Sequence, residues 1–218
     1  MNKLIKVVRI SFAELSTKIH KSRLSLHNFH PSAPESIYLS PTAMVIGDAS
    51  IFPKSVIFHN TVIKGDLNAV NVGYSTIIME NCSLSTVHKH PDSFEVMNTI
   101  VGDSVIIMPN STLISCHVGD FCFIGSGSVI CEGAEIEQYA YVGPNSVVPP
   151  NRIIPSGQVW AGNPARFVRH VTKGDKANHL EMRFNLDKLA ESHIQETLAD
   201  NTAHLAKIAK EMEMNLTQ

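Results

Sequence analysis

The sequence predicts an all-β solenoid, a left-handed parallel β-helix of hexapeptide repeats, with an N-terminal amphipathic helix before it and a C-terminal α-helix after it. Three observations carry the prediction. Aliphatic side chains return every six residues between Val45 and Ile154. A small residue sits four positions after most of them, as at Ala49, Ser55, Thr61, Thr76, Cys82, Ser111, Cys122, Ser128, Ala134, Ala140 and Ser146. Glycine often follows the aliphatic directly, as at Gly73, Gly102, Gly119, Gly125 and Gly143. A period of six fits neither the 3.6 of an α-helix nor the alternation of a half-buried strand. It is the signature of a hexapeptide β-helix, in which three hexapeptides make one triangular coil and each coil needs its neighbours to bury its core.

Residues 1–30 form the first segment. Lys3, Lys6, Arg9, Lys18, Lys21 and Arg23 face a single acid, Glu14, in its first 26 residues, and Leu4, Val7, Val8, Phe12, Leu15 and Ile19 recur at helical spacing. Basic, amphipathic and poor in acid is the pattern of a mitochondrial transit peptide. It is also the pattern of a retained helix that docks on a partner or a lipid surface, or that covers one end of the chain's own core.

Residues 37–172 form the solenoid. Its aliphatic runs are Val45, Ile51, Ile57 and Ile63; then Val72, Ile78 and Leu84; then Val101, Ile107 and Leu113; then Val118, Ile124, Ile130, Ile136, Val142, Val148 and Ile154. Two interruptions break the register. Residues 64–71, Lys-Gly-Asp-Leu-Asn-Ala-Val-Asn, lengthen one step, and residues 85–100 leave the prism as a loop. Excursions of this kind are where a solenoid places its function. Residues 155–169, Pro-Ser-Gly-Gln-Val-Trp-Ala-Gly-Asn-Pro-Ala-Arg-Phe-Val-Arg, close the repeat. Over residues 175–213, Leu180, Phe184, Leu186, Leu189, Ile194, Leu198, Leu205, Ile208 and Met212 lie mostly three to five apart, which predicts a helix packed on the prism or at a subunit boundary.

Bulk properties set outer limits. Of 218 residues 44% are hydrophobic and 17% charged, which excludes disorder, and a net charge of −2 gives no reason to expect nucleic acid as a partner. No run of about 18 apolar residues is present, so no transmembrane helix is expected. Cys82, Cys116, Cys122 and Cys131 form no Cys-x-x-Cys pair, and Cys82 and Cys122 occupy the small-residue position, so they read as small thiols in a reducing compartment.

The stretch from about residue 37 to 172 resembles the γ-carbonic anhydrase family. The resemblance rests on Lys64-Gly65-Asp66-Leu67-Asn68, where the family reads Arg-Gly-Asp-Val-Asn, on Val101-Gly102-Asp103, and above all on Ile154-Pro155-Ser156-Gly157-Gln158-Val159-Trp160-Ala161-Gly162-Asn163-Pro164-Ala165-Arg166-Phe167. The N-terminal extension is similar to that of the family's members in mitochondrial complex I of plants and protists. Those members form a trimer on the matrix face of the membrane arm. Their chemistry is hydration of carbon dioxide by zinc held on three neutral imidazoles, two from one chain and one from its neighbour.

At the three ligand positions this sequence has Ser85, Pro109 and Ile114. Serine is a poor zinc ligand, and proline and isoleucine side chains have no donor atom. The family Arg is Lys64, which lacks the bidentate fork, and the family's Gln-Asp pair is Met79-Glu80; Asp66 remains. What the resemblance implies is a catalytically inactive structural or assembly subunit of complex I on the matrix side of the inner membrane. It carries no catalytic, metal or cofactor-binding residues and needs no cofactor. Its partners are two homologous β-helix subunits, with membrane-arm subunits and lipid meeting the N-terminal helix.

The alternatives are enzymatic or belong to another assembly. His88, His90 and His117 lie near the lost ligand positions and could rebuild a metal site, and His59 or His117 could serve a hexapeptide acyltransferase. A third reading is a β-helix subunit of a different complex, such as the pointed-end proteins of dynactin.

Overall fold

The computed structural model describes residues 22–26, 28–34, 36–87 and 97–216, with side chains to residue 195. Of the helix expected over residues 1–30, residues 1–21 and 27 therefore lie outside the described residues. Within the segment read as helical, Arg23–Leu24 is a strand that pairs in parallel with Val45 and Ile46, so the solenoid begins before its hexapeptide pattern does.

The strands are two to eleven residues long and stack into the three faces of a prism. On the first face Val45, Ile63, Leu84, Leu113, Ile130 and Val148 lie in register. The second carries Ile51, Val72, Val101, Val118, Ile136 and Ile154. The third carries Leu39, Ile57, Ile78, Ile107, Ile124, Val142 and Trp160. All pairings between successive coils are parallel, and these side chains form one continuous core. Burial of such ladders is the main favourable term in the fold.

The small residues have a second task besides fitting the corners. Each is at most 2% exposed. Several donate to a carbonyl of the next coil: Ser55 to Gly73 O at 2.7 Å, Thr61 to Met79 O at 2.8 Å, Thr76 to Gly102 O at 2.7 Å and Ser128 to Gly143 O at 2.9 Å. Cys82 and Cys122 replace the hydroxyl with a thiol, 3.2 Å from Met108 O and 3.1 Å from Glu137 O. One corner is turned by Asn60, Asn81, Asn110 and Asn145 at φ between 52° and 61°, a conformation asparagine tolerates well.

The chain closes with Gln158–Ala161 paired antiparallel to Arg166–His170, then enters a helix over Lys173–Leu216. Thr172 and Asp175 cap its start: the Asp175 carboxylate accepts the Thr172 amide at 2.7 Å, and the Thr172 hydroxyl accepts the Asp175 amide at 3.2 Å. Arg169 holds the same carboxylate through two bonds of 2.6 and 2.9 Å. The helix runs back along the third face. His179 Nε2 lies 2.9 Å from Ser104 O and Arg183 donates to the Ser104 hydroxyl at 2.6 Å. Further on, Leu186 and Ala190 join a cluster with Tyr38, Val56, Phe58, Ile77 and Met79.

The expected helix packs on the prism through a largely polar face. Its docked face is His179, Arg183, Leu186, Ala190 and His193, spaced four, three, four and three. Of the apolar residues expected to pack on the prism or at a subunit boundary, Leu186 joins the docked cluster, while Leu180 is 60% and Phe184 58% exposed, and Leu189 and Ile194 are exposed as well. Polar groups take the docked positions because the solenoid offers them partners, among them the Ser104 carbonyl and hydroxyl.

Candidate functional site

The three positions at which the family resemblance leads one to expect zinc ligands fall at two corners of the first face. Ser85 ends the strand Ser83–Ser85 and is in register with Lys64 in one neighbouring coil and Ile114 in the other. All three stand outside the ladder, one residue past the buried Ile63, Leu84 and Leu113. Pro109 sits at the opposite corner, in the turn that precedes Thr112–Ile114. Four residues, Asn110 to Leu113, separate Pro109 from Ile114, so the two positions lie at opposite ends of one face of the prism.

The residues do not fit zinc. Ser85, Pro109 and Ile114 are all half-buried, and none presents an imidazole, thiolate or carboxylate. Among the described residues no group of three or more His, Cys, Asp or Glu side chains is placed to hold a metal ion. His88 and His90 lie outside the described residues. His117 is exposed on the second face, in register with Ile100 and Glu135. His59 is at the same corner as Pro109 but two coils away, and it faces the C-terminal helix.

The Lys64–Asn68 motif does structural work around the excursion. Lys64 Nζ bonds Asp66 Oδ2 at 2.7 Å. Gly65 passes so close to Asp48 that a Cβ would strike its carbonyl, which is why glycine is required there. The Asn68 amide donates to the Thr86 hydroxyl at 3.1 Å, and Asn68 Nδ2 donates to Val87 O at 2.7 Å. Ser115 donates to Met97 O at 2.7 Å and accepts the Val87 amide at 2.8 Å. Both ends of the loop are therefore pinned beside Ser85, whose carbonyl accepts from the Thr99 hydroxyl at 2.6 Å and the Ser115 amide at 3.0 Å. Sequence reading found Asn68 as part of a motif but missed Ser115 and Thr99; both fall at a break in the repeat, where the six-residue pattern gives no guidance.

The thiols are chemically quiet. Burial pushes Cys82 up to about 11 and Cys116 and Cys122 up to about 12, and all four cysteines are free.

Comparison with known proteins places this geometry. The family model Bacterial transferase hexapeptide (six repeats) matches residues 115–150. Gamma carbonic anhydrase 1, mitochondrial, of Arabidopsis thaliana is 37% identical over 81% of this chain, which spans 64% of that protein's length. Gamma carbonic anhydrase-like 1, mitochondrial, of the same organism is 36% identical over 84% of this chain and 72% of its own length. The chain belongs to the gamma carbonic anhydrase family. Among solved structures, a putative acetyltransferase of Bacillus cereus is similar to this gamma carbonic anhydrase relative with a TM-score of 0.73 and 26% identity, covering 78% of this chain and 95% of the other.

Proposed function

We propose that this chain is a catalytically silent structural subunit of mitochondrial complex I, set in a trimer with two homologous β-helix chains on the matrix side of the membrane arm. The observation that carries the reading is the loss of all three ligand positions, to Ser85, Pro109 and Ile114, on a fold otherwise kept. Mitochondrial relatives and a basic amphipathic N-terminus support the compartment. The exposed Leu180 and Phe184 support an assembled state, because the docked helix leaves them without cover from the solenoid.

Sharing of the three ligands between neighbouring chains, which the family resemblance implies, has a consequence for stoichiometry. A trimer has three interfaces, and one such chain disables both interfaces it touches. At most one zinc site survives, between its two partners. The N-terminal segment then serves to meet membrane-arm subunits and lipid.

Stopped-flow carbon dioxide hydration by the purified chain with zinc supplied tests the silence. The expected rate is that of buffer with zinc alone. A zinc-dependent acceleration that scales with protein concentration would return the chain to the enzymes.

A further inference from the structure

Away from Ser85, Pro109 and Ile114, two imidazoles separated by 134 residues meet where the C-terminal helix lands on the solenoid. His59 Nε2 and His193 Nδ1 are 3.3 Å apart, and both side chains are half-buried, open to solvent on one side. Each ring is held from behind. His59 Nδ1 lies 2.6 Å from the Ser40 hydroxyl and 3.1 Å from that of Thr42. Ser40 is fully buried, and Thr42 Oγ1 accepts the Asn60 amide at 3.1 Å. The His193 ring meets Phe58 edge-on at 5.8 Å and Tyr38 at 6.4 Å.

Tautomers follow from these partners. When His59 Nδ1 donates to Ser40, its Nε2 carries a lone pair facing His193 Nδ1: a proton on His193 Nδ1 makes the contact a hydrogen bond, and the other His193 tautomer leaves a lone pair on both facing nitrogens. Two lone pairs at this separation match a metal's ligand edge. Nitrogens about 2.05 Å from a tetrahedral zinc ion stand about 3.3 Å from each other.

We propose that His59 Nε2 and His193 Nδ1 form a two-imidazole site for a divalent transition-metal ion of the zinc class, which fastens the C-terminal helix to the solenoid. Solvent fills the remaining coordination positions, since no third donor of the usual kinds joins the pair among the described residues. The site is accordingly exchangeable and weak, unlike a closed structural site. Imidazole nitrogens favour zinc, copper and nickel over magnesium and calcium. Both rings must be neutral, so acid competes with the metal. The proposal is independent of catalytic silence, because the pair lies two coils from Pro109 and shares no residue with the inherited positions.

The test is thermal unfolding of the full-length, metal-stripped chain titrated with zinc at pH 7.5. At a tenfold excess over the Kd, the midpoint rises by about 3–6 °C. Magnesium gives no rise, and His59→Gln and His193→Gln each abolish the zinc effect. No rise, or a rise undiminished in either variant, overturns the site. Should a variant fail to fold, electron paramagnetic resonance of copper bound to the unmodified chain decides. Two imidazole nitrogens on the first equivalent of copper, kept when His88→Gln and His90→Gln are combined, support the site, and a spectrum lacking them overturns it.

Discussion

Leu113 and Ile114 are neighbours in one strand with opposite duties, and alanine substitutions separate them. Leu113 is fully buried in the first ladder between Leu84 and Ile130, whereas Ile114 is half-buried on the outer surface. Leu113→Ala removes three carbon groups, about 2.4 kcal/mol of transfer free energy at ~0.8 kcal/mol each. The backbone around the gap is pinned by strand pairing above and below, so it relaxes little, and the cavity raises the total to about 3–5 kcal/mol. Ile114→Ala leaves no core cavity, and its expected cost to the isolated chain is within about 1 kcal/mol. Urea unfolding followed by circular dichroism measures both. If the two substitutions cost the same, or Leu113→Ala costs under 1 kcal/mol, the inside–outside assignment of this strand is wrong. With it would fall the claim that Ile114 stands at an intersubunit position.

Other outcomes follow from the helix and the thiols. Asp175→Ala removes the carboxylate that caps the helix and holds Arg169; the expected loss is about 1 kcal/mol, read as a lower urea midpoint with unchanged slope. Arg169 and Thr172 hold the Asp175 carboxyl well below the usual carboxylate range, so its contribution is present above about pH 4 and fades as acid protonates it, a trend Asp175→Ala should flatten. His179 runs the same way for a different cause. Burial lowers its pKa, so the unfolded chain takes up the proton first and stability falls as pH drops below about 6.5; melting midpoints between pH 7 and 5 should show the decline. In a thiol-reagent assay on the folded chain, half-buried Cys131 reacts while Cys82, Cys116 and Cys122 wait for unfolding.

The solenoid was legible because each coil repeats one constraint. Val45, Ile63 and Leu84 occupy the same slot in successive coils, so the sequence writes the slot out again and again. The coil boundaries were less legible: Arg23–Leu24 pairs through its backbone, with Arg23 and not an aliphatic residue in register with Val45. Apolar spacing gave the C-terminal helix but not which of its faces docks on the solenoid. Its docked residues His179, Arg183 and His193 are polar, and their partners Ser104 and His59 are far away in sequence. The lost ligand positions were visible only through family resemblance, since Ser85, Pro109 and Ile114 are unremarkable residues taken alone. That they fall at two different corners required the register of the strands.

The central claim is that this chain serves an assembly rather than a reaction. Blue-native electrophoresis of solubilised mitochondria, with mass spectrometry of the band that contains the chain, tests it most directly. The account predicts migration with NADH dehydrogenase activity and two homologous β-helix proteins. A free homotrimer near three times 23.9 kDa, with neither companion, would contradict it.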